Sequence, residues 1–189
     1  MSESIEKSVE AVHERAEHGD GWARGVAVLV SVLAAALALT GIAEKSSQNE
    51  YLSAHIAVSD DWSFYQAKNQ RLTIRGSEAS ILQSLPNAGD PEIQARIKAA
   101  QDYVARAKDD PKGNDGMKQL AERAGEREHE RDHALHRYHR YELAAGALEL
   151  AIVLASVSVV IRNRPLTYGA GALGLVGALV SAATRFGLI

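Results

Sequence analysis

GVAVLVSVLAAALALTGIA, residues 25–43, is the stretch on which the fold of this chain turns. It holds no charge and no proline, and as a helix it is long enough to cross the roughly 30 Å hydrocarbon core of a bilayer. Two more stretches of the same length follow. They are LAAGALELAIVLASVSVVI at 143–161, whose one ionisable residue is Glu149, and LTYGAGALGLVGALVSAAT at 166–184. The mean hydropathy of the whole chain is only −0.17, because about a hundred charge-rich residues between the first and second stretches dilute them. The reading is an all-α integral membrane protein. Three transmembrane helices carry a long helical-hairpin, coiled-coil-like insertion between the first and the second. The expected segments are a polar N-terminal tail at 1–21, transmembrane helix 1 at 22–43, the extramembrane insertion at 44–140, transmembrane helix 2 at 141–161 and transmembrane helix 3 at 166–185.

Composition narrows the function classes. The net charge of −3 over 189 residues conceals two near-balanced populations. From Glu44 to Arg140 there are 15 Lys and Arg against 16 Asp and Glu, which suits solvated helix faces and offers no basic excess for nucleic acid. The absence of cysteine excludes disulfides and thiolate metal sites. Four prolines and abundant alanine suit a helical chain. The region before the first apolar stretch carries Glu3, Glu6, Glu10, Glu14, Glu17 and Asp20 against few cations. That is the wrong sign for a secretory leader, so the stretch reads as a retained anchor.

The insertion has its own punctuation. No helix breaker stands between Ile42 and Leu85, so the first span is expected to run on beyond the bilayer. Val58, Trp62, Tyr65, Asn69 and Leu72 alternate spacings of four and three along one helix face. Leu85-Pro86-Asn87-Ala88-Gly89-Asp90-Pro91 predicts a stop and restart, with Asp90 as cap and Pro91 at the first helical position. Ile93, Ile97, Ala100 and Val104 form the face of the next helix. Asp109 to Gly116 breaks it, and a last helix begins near Met117. Arg162-Asn163-Arg164-Pro165 turns the chain back for the third span. The insertion begins and ends at one membrane face. Ser46–Ser84 would reach about 60 Å out and the two later helices about 70 Å back. An antiparallel hairpin with a broken return arm therefore fits better than a squat three-helix bundle. A lone hairpin buries little apolar surface, which points to other copies of the chain as partners. Arg162 and Arg164 in the short loop favour a cytoplasmic N-terminus with the insertion outside. Arg123, Arg127, Arg131, Arg137 and Arg140 oppose that, but in a loop too long for the rule to weigh heavily.

Ser59-Asp60-Asp61-Trp62-Ser63-Phe64-Tyr65-Gln66-Ala67-Lys68 resembles the signature of a bacterial membrane family, domain-of-unknown-function family 4337. His136-Arg137-Tyr138-His139-Arg140-Tyr141-Glu142, leading into Ala151–Ser156, carries the second part of the resemblance. It covers the chain after the N-terminal tail. The resemblance implies a bacterial inner-membrane protein with one N-terminal span, a helical middle bearing the Trp-x-x-Tyr-Gln-Ala-Lys motif and a C-terminal hairpin. It implies no catalytic residue. Read physically, Trp62, Tyr65, Gln66 and Lys68 form a packing seam with a polar lock. The competing reading is a ligand or lipid-headgroup pocket lined by the same four.

Other residues carry potential chemistry. His129-Glu130-Arg131-Asp132-His133 matches H-E-x-x-H, in which two histidines on one helix face hold zinc and the glutamate acts as general base. The charged pair Arg131 and Asp132 departs from the usual pattern, and only Glu142 or Glu149 offers a third ligand. His129, His133, His136 and Arg140 share a face just outside the second span, with His139 nearby. That stripe admits a metal site at His129, His133 and His136, a pH switch, or a solvated row at headgroup level. Glu149 lies inside a span, where a carboxyl group must be protonated, paired or watered. It suits either a contact with a helical neighbour such as Thr40 or Ser31, or an ion path. Ala170, Gly174, Ala178 and Ala182, with Gly171 and Gly177, face Ala147, Ala151 and Ala155 as a close-packing surface.

The expected function is a membrane-anchored, self-associating scaffold or interaction module of no assigned activity, with the lipid bilayer and its own copies as partners and no nucleic acid. The alternative is a small oligomeric channel or transporter subunit using Glu149 and the histidine stripe. A zinc metallopeptidase on His129, Glu130 and His133 is the remote one. No catalytic residue and no cofactor is expected, zinc or another transition metal being the one the histidines would admit.

Overall fold

The computed structural model describes Lys7, Glu10 and residues 21–189, so the expected N-terminal tail falls almost wholly outside the described residues. Four helices run through residues 21–189: α1 (Gly21–Ser84), α2 (Pro91–Lys108), α3 (Met117–Ile161) and α4 (Arg164–Arg185). No strand occurs among the described residues. All four prolines stand at or beyond a helix end, where a missing N–H costs nothing. With none between Gly21 and Ser84, α1 continues unbroken out of its apolar stretch. α1, α3 and α4 are each long and apolar enough to cross a membrane.

The chain divides into two compact units. The first comprises Met1–Tyr51 and Ala134–Ile189. Its core gathers Val26, Val30 and Leu33 of α1, Leu148, Ile152 and Val159 of α3, and Ala170 of α4. Gly171 approaches Leu29, Gly174 approaches Leu33, and Thr40 Oγ1 donates to Ser181 Oγ at 2.9 Å, so these parts of α1 and α4 rise in step. α3 runs the other way: Gly177 meets Ala144 and Leu148, Gly174 meets Ala151, and the Ser158 and Thr167 hydroxyls lie 2.8 Å apart. Small residues allow this spacing, since a Cβ added at Gly177 would stand 3.0 Å from the Ala144 carbonyl oxygen. The opposite faces are apolar and uncovered. Leu39, Leu143 and Leu179 are 71%, 73% and 59% exposed, far more apolar surface than a water-soluble unit leaves open.

α3 ends at Ile161 with Arg162 left-handed at φ 52° and the Asn163 N–H donating to the Ser158 carbonyl at 3.0 Å. Asn163 then caps α4, its side chain accepting from the Leu166 N–H at 3.3 Å.

The second unit comprises Leu52–His133. Its buried residues are Val58 and Ala79 of α1, Ile97, Ala100 and Ala107 of α2, and Leu120 and Ala124 of α3. Leu120 is fully buried, a contribution of about 2 kcal/mol. Asp90 stands at the N-cap of α2, but its carboxylate does not cap. It accepts instead from Asn87 Nδ2 at 3.1 Å. The break before α3 is held by Gln119, whose amide accepts from the Asp110 N–H and donates to Asp109 Oδ1. Gly116 sits so close to the Asp110 backbone that a Cβ has no room there.

Candidate functional site

Within the second unit, one face of α1 is pinned to its neighbours by charged and aromatic side chains. The Trp62 indole N–H donates to Glu128 Oε1 at 3.0 Å, and its ring meets Tyr65 edge-on at 5.4 Å. Lys68 Nζ lies 2.7 Å from the Asp115 carboxylate and also donates to the Asp115 carbonyl. Asp61 is 8% exposed, with Arg127 at 3.0 Å and Arg123 at 3.8 Å. Neither Asp61 Oδ2 nor Arg123 Nε completes a hydrogen bond of good geometry, so charge more than aligned donors holds this acid. Farther along α1, Glu78 takes Arg75 and Arg96 at 2.7 and 3.2 Å. Hydrogen bonds from those two guanidinium groups, Arg75 first, hold the Glu78 carboxyl below its usual range.

The structure therefore brings Trp62, Tyr65 and Lys68 to one seam, while Gln66 points away and is exposed. A cavity of about 380 Å³ lies beside it, lined by Phe64, Lys68, Arg71, Tyr103 and Arg106. Trp62, Tyr65 and Gln66 are not among its lining residues. Asp61, Arg123, Arg127, Glu128 and Asp115 are the participants that sequence reasoning did not single out. Asp61 had a signal: it stands four residues before Tyr65, on the same helix face.

In the first unit, acids collect near the expected membrane surface. Burial pushes the Glu44 carboxyl up, the charges of Glu142 and Glu149 push it further, and Lys45 opposes them. The Tyr138 phenol is raised by burial first and then by Glu142 and Glu44. His139 Nδ1 lies 3.0 Å from Glu142 Oε2. Glu149 is half-buried. The two hydroxyls offered as its neighbours are engaged elsewhere, Thr40 with Ser181 and Ser31 with the Ala27 carbonyl.

His129, Glu130 and His133 lie on α3 in the second unit, and His136 on α3 in the first; all four are exposed. Among the described residues, no three His, Asp or Glu side chains gather closely enough to hold a metal ion.

Fold and seam together define an all-helical protein with three apolar helices of membrane-spanning length, tied in its charged unit by an aromatic and ionic lock. The chain belongs to the family described as Domain of unknown function (DUF4337), which matches residues 22–187. That family is the one the Ser59–Lys68 motif resembles. No curated protein matches the chain, and no solved structure does.

Proposed function

We propose that this is a three-span membrane protein whose insertion, residues 44–140, is a helical hairpin that self-associates and serves as a scaffold. The observation that carries the reading is the outer face of α1. Ile56, Ile74 and Ile81 are 61%, 66% and 62% exposed, and at 100° per residue they fall within about 20° of one line. Leu52, 46% exposed, lies about 40° to one side of that line. A large apolar stripe on a solvated helix marks a contact, and the seven-residue step from Ala67 to Ile74 to Ile81 is the repeat of a helix–helix seam. A second copy supplies the matching stripe by symmetry. The hairpin is supported by the order of ion pairs, since Glu78, Lys68 and Asp61 meet Arg96, Asp115 and Arg123 in reverse sequence. On the inner face the aromatic and ionic groups are taken up by one another, which supports packing over a ligand pocket. Arg162 and Arg164 support a cytoplasmic N-terminus in a bacterial inner membrane.

The test is the oligomeric state of the full chain in detergent or nanodiscs, by light scattering with the detergent mass subtracted. The wild type should be a dimer or larger. Ile74→Glu with Ile81→Glu should yield a monomer with unchanged helical content. A monomeric wild type would sink the scaffold reading.

A second reading, a channel or transporter subunit, draws on the charges of Glu142 and Glu149 acting on Glu44. Cation flux into vesicles that Glu149→Gln abolishes would favour it over the scaffold.

A further inference from the structure

We propose that the first unit holds one anionic phospholipid in a cleft between α1, α3 and α4, with an acyl chain along the apolar walls and the phosphate at Arg185. This rests on the three-span reading, because only a bilayer supplies that occupant at that depth.

The cleft has a volume of about 650 Å³ and lies where all three helices reach the same expected membrane surface, near Ala43, Tyr141 and Thr184. Its walls change character along its length. One end is lined by Ala36, Leu39, Ala178 and Ala182, and the other by Ser46, Ser47, Glu50, Arg137 and Arg185. Leu39 and Ile42 line it while being 71% and 68% exposed, so it opens sideways towards the space acyl chains would fill. This is the shape of an amphiphile's site: a greasy groove that ends in polar groups at headgroup level.

The charge of the polar end selects the sign of the headgroup. Arg137 is neutralised by Glu50 at 2.9 Å. Arg185 has no carboxylate within ion-pair distance among the described residues, so the charged side chains that line the cleft, Glu50, Arg137 and Arg185, sum to +1. Ser47 lines the same polar end and is 5% exposed. A phosphodiester offers the negative charge that Arg185 lacks and acceptor oxygens for the serine hydroxyls that line the cleft.

The full chain, delipidated and reconstituted in nanodiscs, is titrated by native mass spectrometry with phosphatidylglycerol and with phosphatidylcholine of identical chains. One phosphatidylglycerol should be retained per chain in preference to phosphatidylcholine. Arg185→Gln should weaken its retention about tenfold, the ratio that about 1.4 kcal/mol of charge-assisted contact carries. Ala182→Leu, which fills the groove at an exposed position, should weaken both lipids together. Equal retention of the two lipids, or indifference to both variants, overturns the proposal. Displacement by millimolar glycerol 3-phosphate overturns it too, since the site would then bind free phosphate and not a lipid. Vesicle flotation of the same protein separates the two failures: a chain that does not float refutes the three-span reading, whereas one that floats without lipid preference refutes only the cleft.

Discussion

The Trp62 indole N–H and the Glu128 carboxylate are joined at 3.0 Å although 66 positions separate them in the chain. The pair fixes the register of α1 against α3 in the second unit, because a slip by one residue would carry the indole off the glutamate. Trp62→Phe keeps the ring but leaves Glu128 without its donor, and we expect a loss of about 1 kcal/mol. Glu128→Gln retains an acceptor and should cost less. Denaturant unfolding of the full chain in micelles, followed by circular dichroism, ranks the two; equal costs would mean that the hydrogen bond carries no register.

Asp61 and its arginines should respond unequally. The Asp61 side chain is 11% exposed, whereas those of Arg123 and Arg127 are 39% and 42% exposed. Asp61→Asn releases two guanidinium groups that water reaches, at an expected cost of about 1 kcal/mol. Arg123→Ala with Arg127→Ala strands a buried carboxylate, and about 1–3 kcal/mol is expected. The same unfolding measurement decides, and a larger loss for the aspartate variant would contradict this account.

Two carboxylates should give opposite pH slopes. Glu78 is held below its ordinary value of 4.5, so its stabilisation is present above that value and disappears as the pH falls through the lowered one. Glu44 is raised, so the folded state is favoured at low pH and that advantage disappears as the pH rises through the raised value. Glu78→Gln should therefore flatten the acid side of a melting-temperature profile. Glu44→Gln should lessen the decline as the pH is brought up to neutrality. Profiles that superpose on the wild type would remove both assignments.

Much of the architecture was legible because it depends on local pattern. Breaks at Pro86–Pro91 and Asp109–Gly116 mark helix ends, and apolar runs of nineteen residues mark the parts long enough to cross a bilayer, without reference to any neighbour. Partners were not legible, because periodicity names a face and leaves open what lies opposite. Trp62 and Lys68 stood out as side chains, while Glu128 and Asp115 looked like any other acids in a charge-rich segment. Asp90 shows the same limit at short range: its cap position is readable, but the competing donor on Asn87 is a matter of geometry. Glu149 could be flagged from its place in an apolar run, whereas the preference of Thr40 for Ser181 depends on how α4 packs.

Two glycines in the first unit should behave in opposite ways when given a methyl group. At Gly177 a Cβ would meet the Ala144 carbonyl oxygen at 3.0 Å, Ala147 Cβ at 3.2 Å and Leu148 Cγ at 3.2 Å. The nearest of these is backbone and cannot rotate aside, so α3 and α4 must separate locally. Overpacking of this kind costs about 1–3 kcal/mol. At Gly146, within the same turn of α3 but on another face, nothing lies within 4 Å of the added atom. Alanine there gains helix propensity without a clash, neutral to about 1 kcal/mol stabilising. Thermal unfolding of both variants in the same detergent compares them against the wild type. A Gly177→Ala protein as stable as the parent would show that the close approach of α3 and α4 does not depend on the missing side chain.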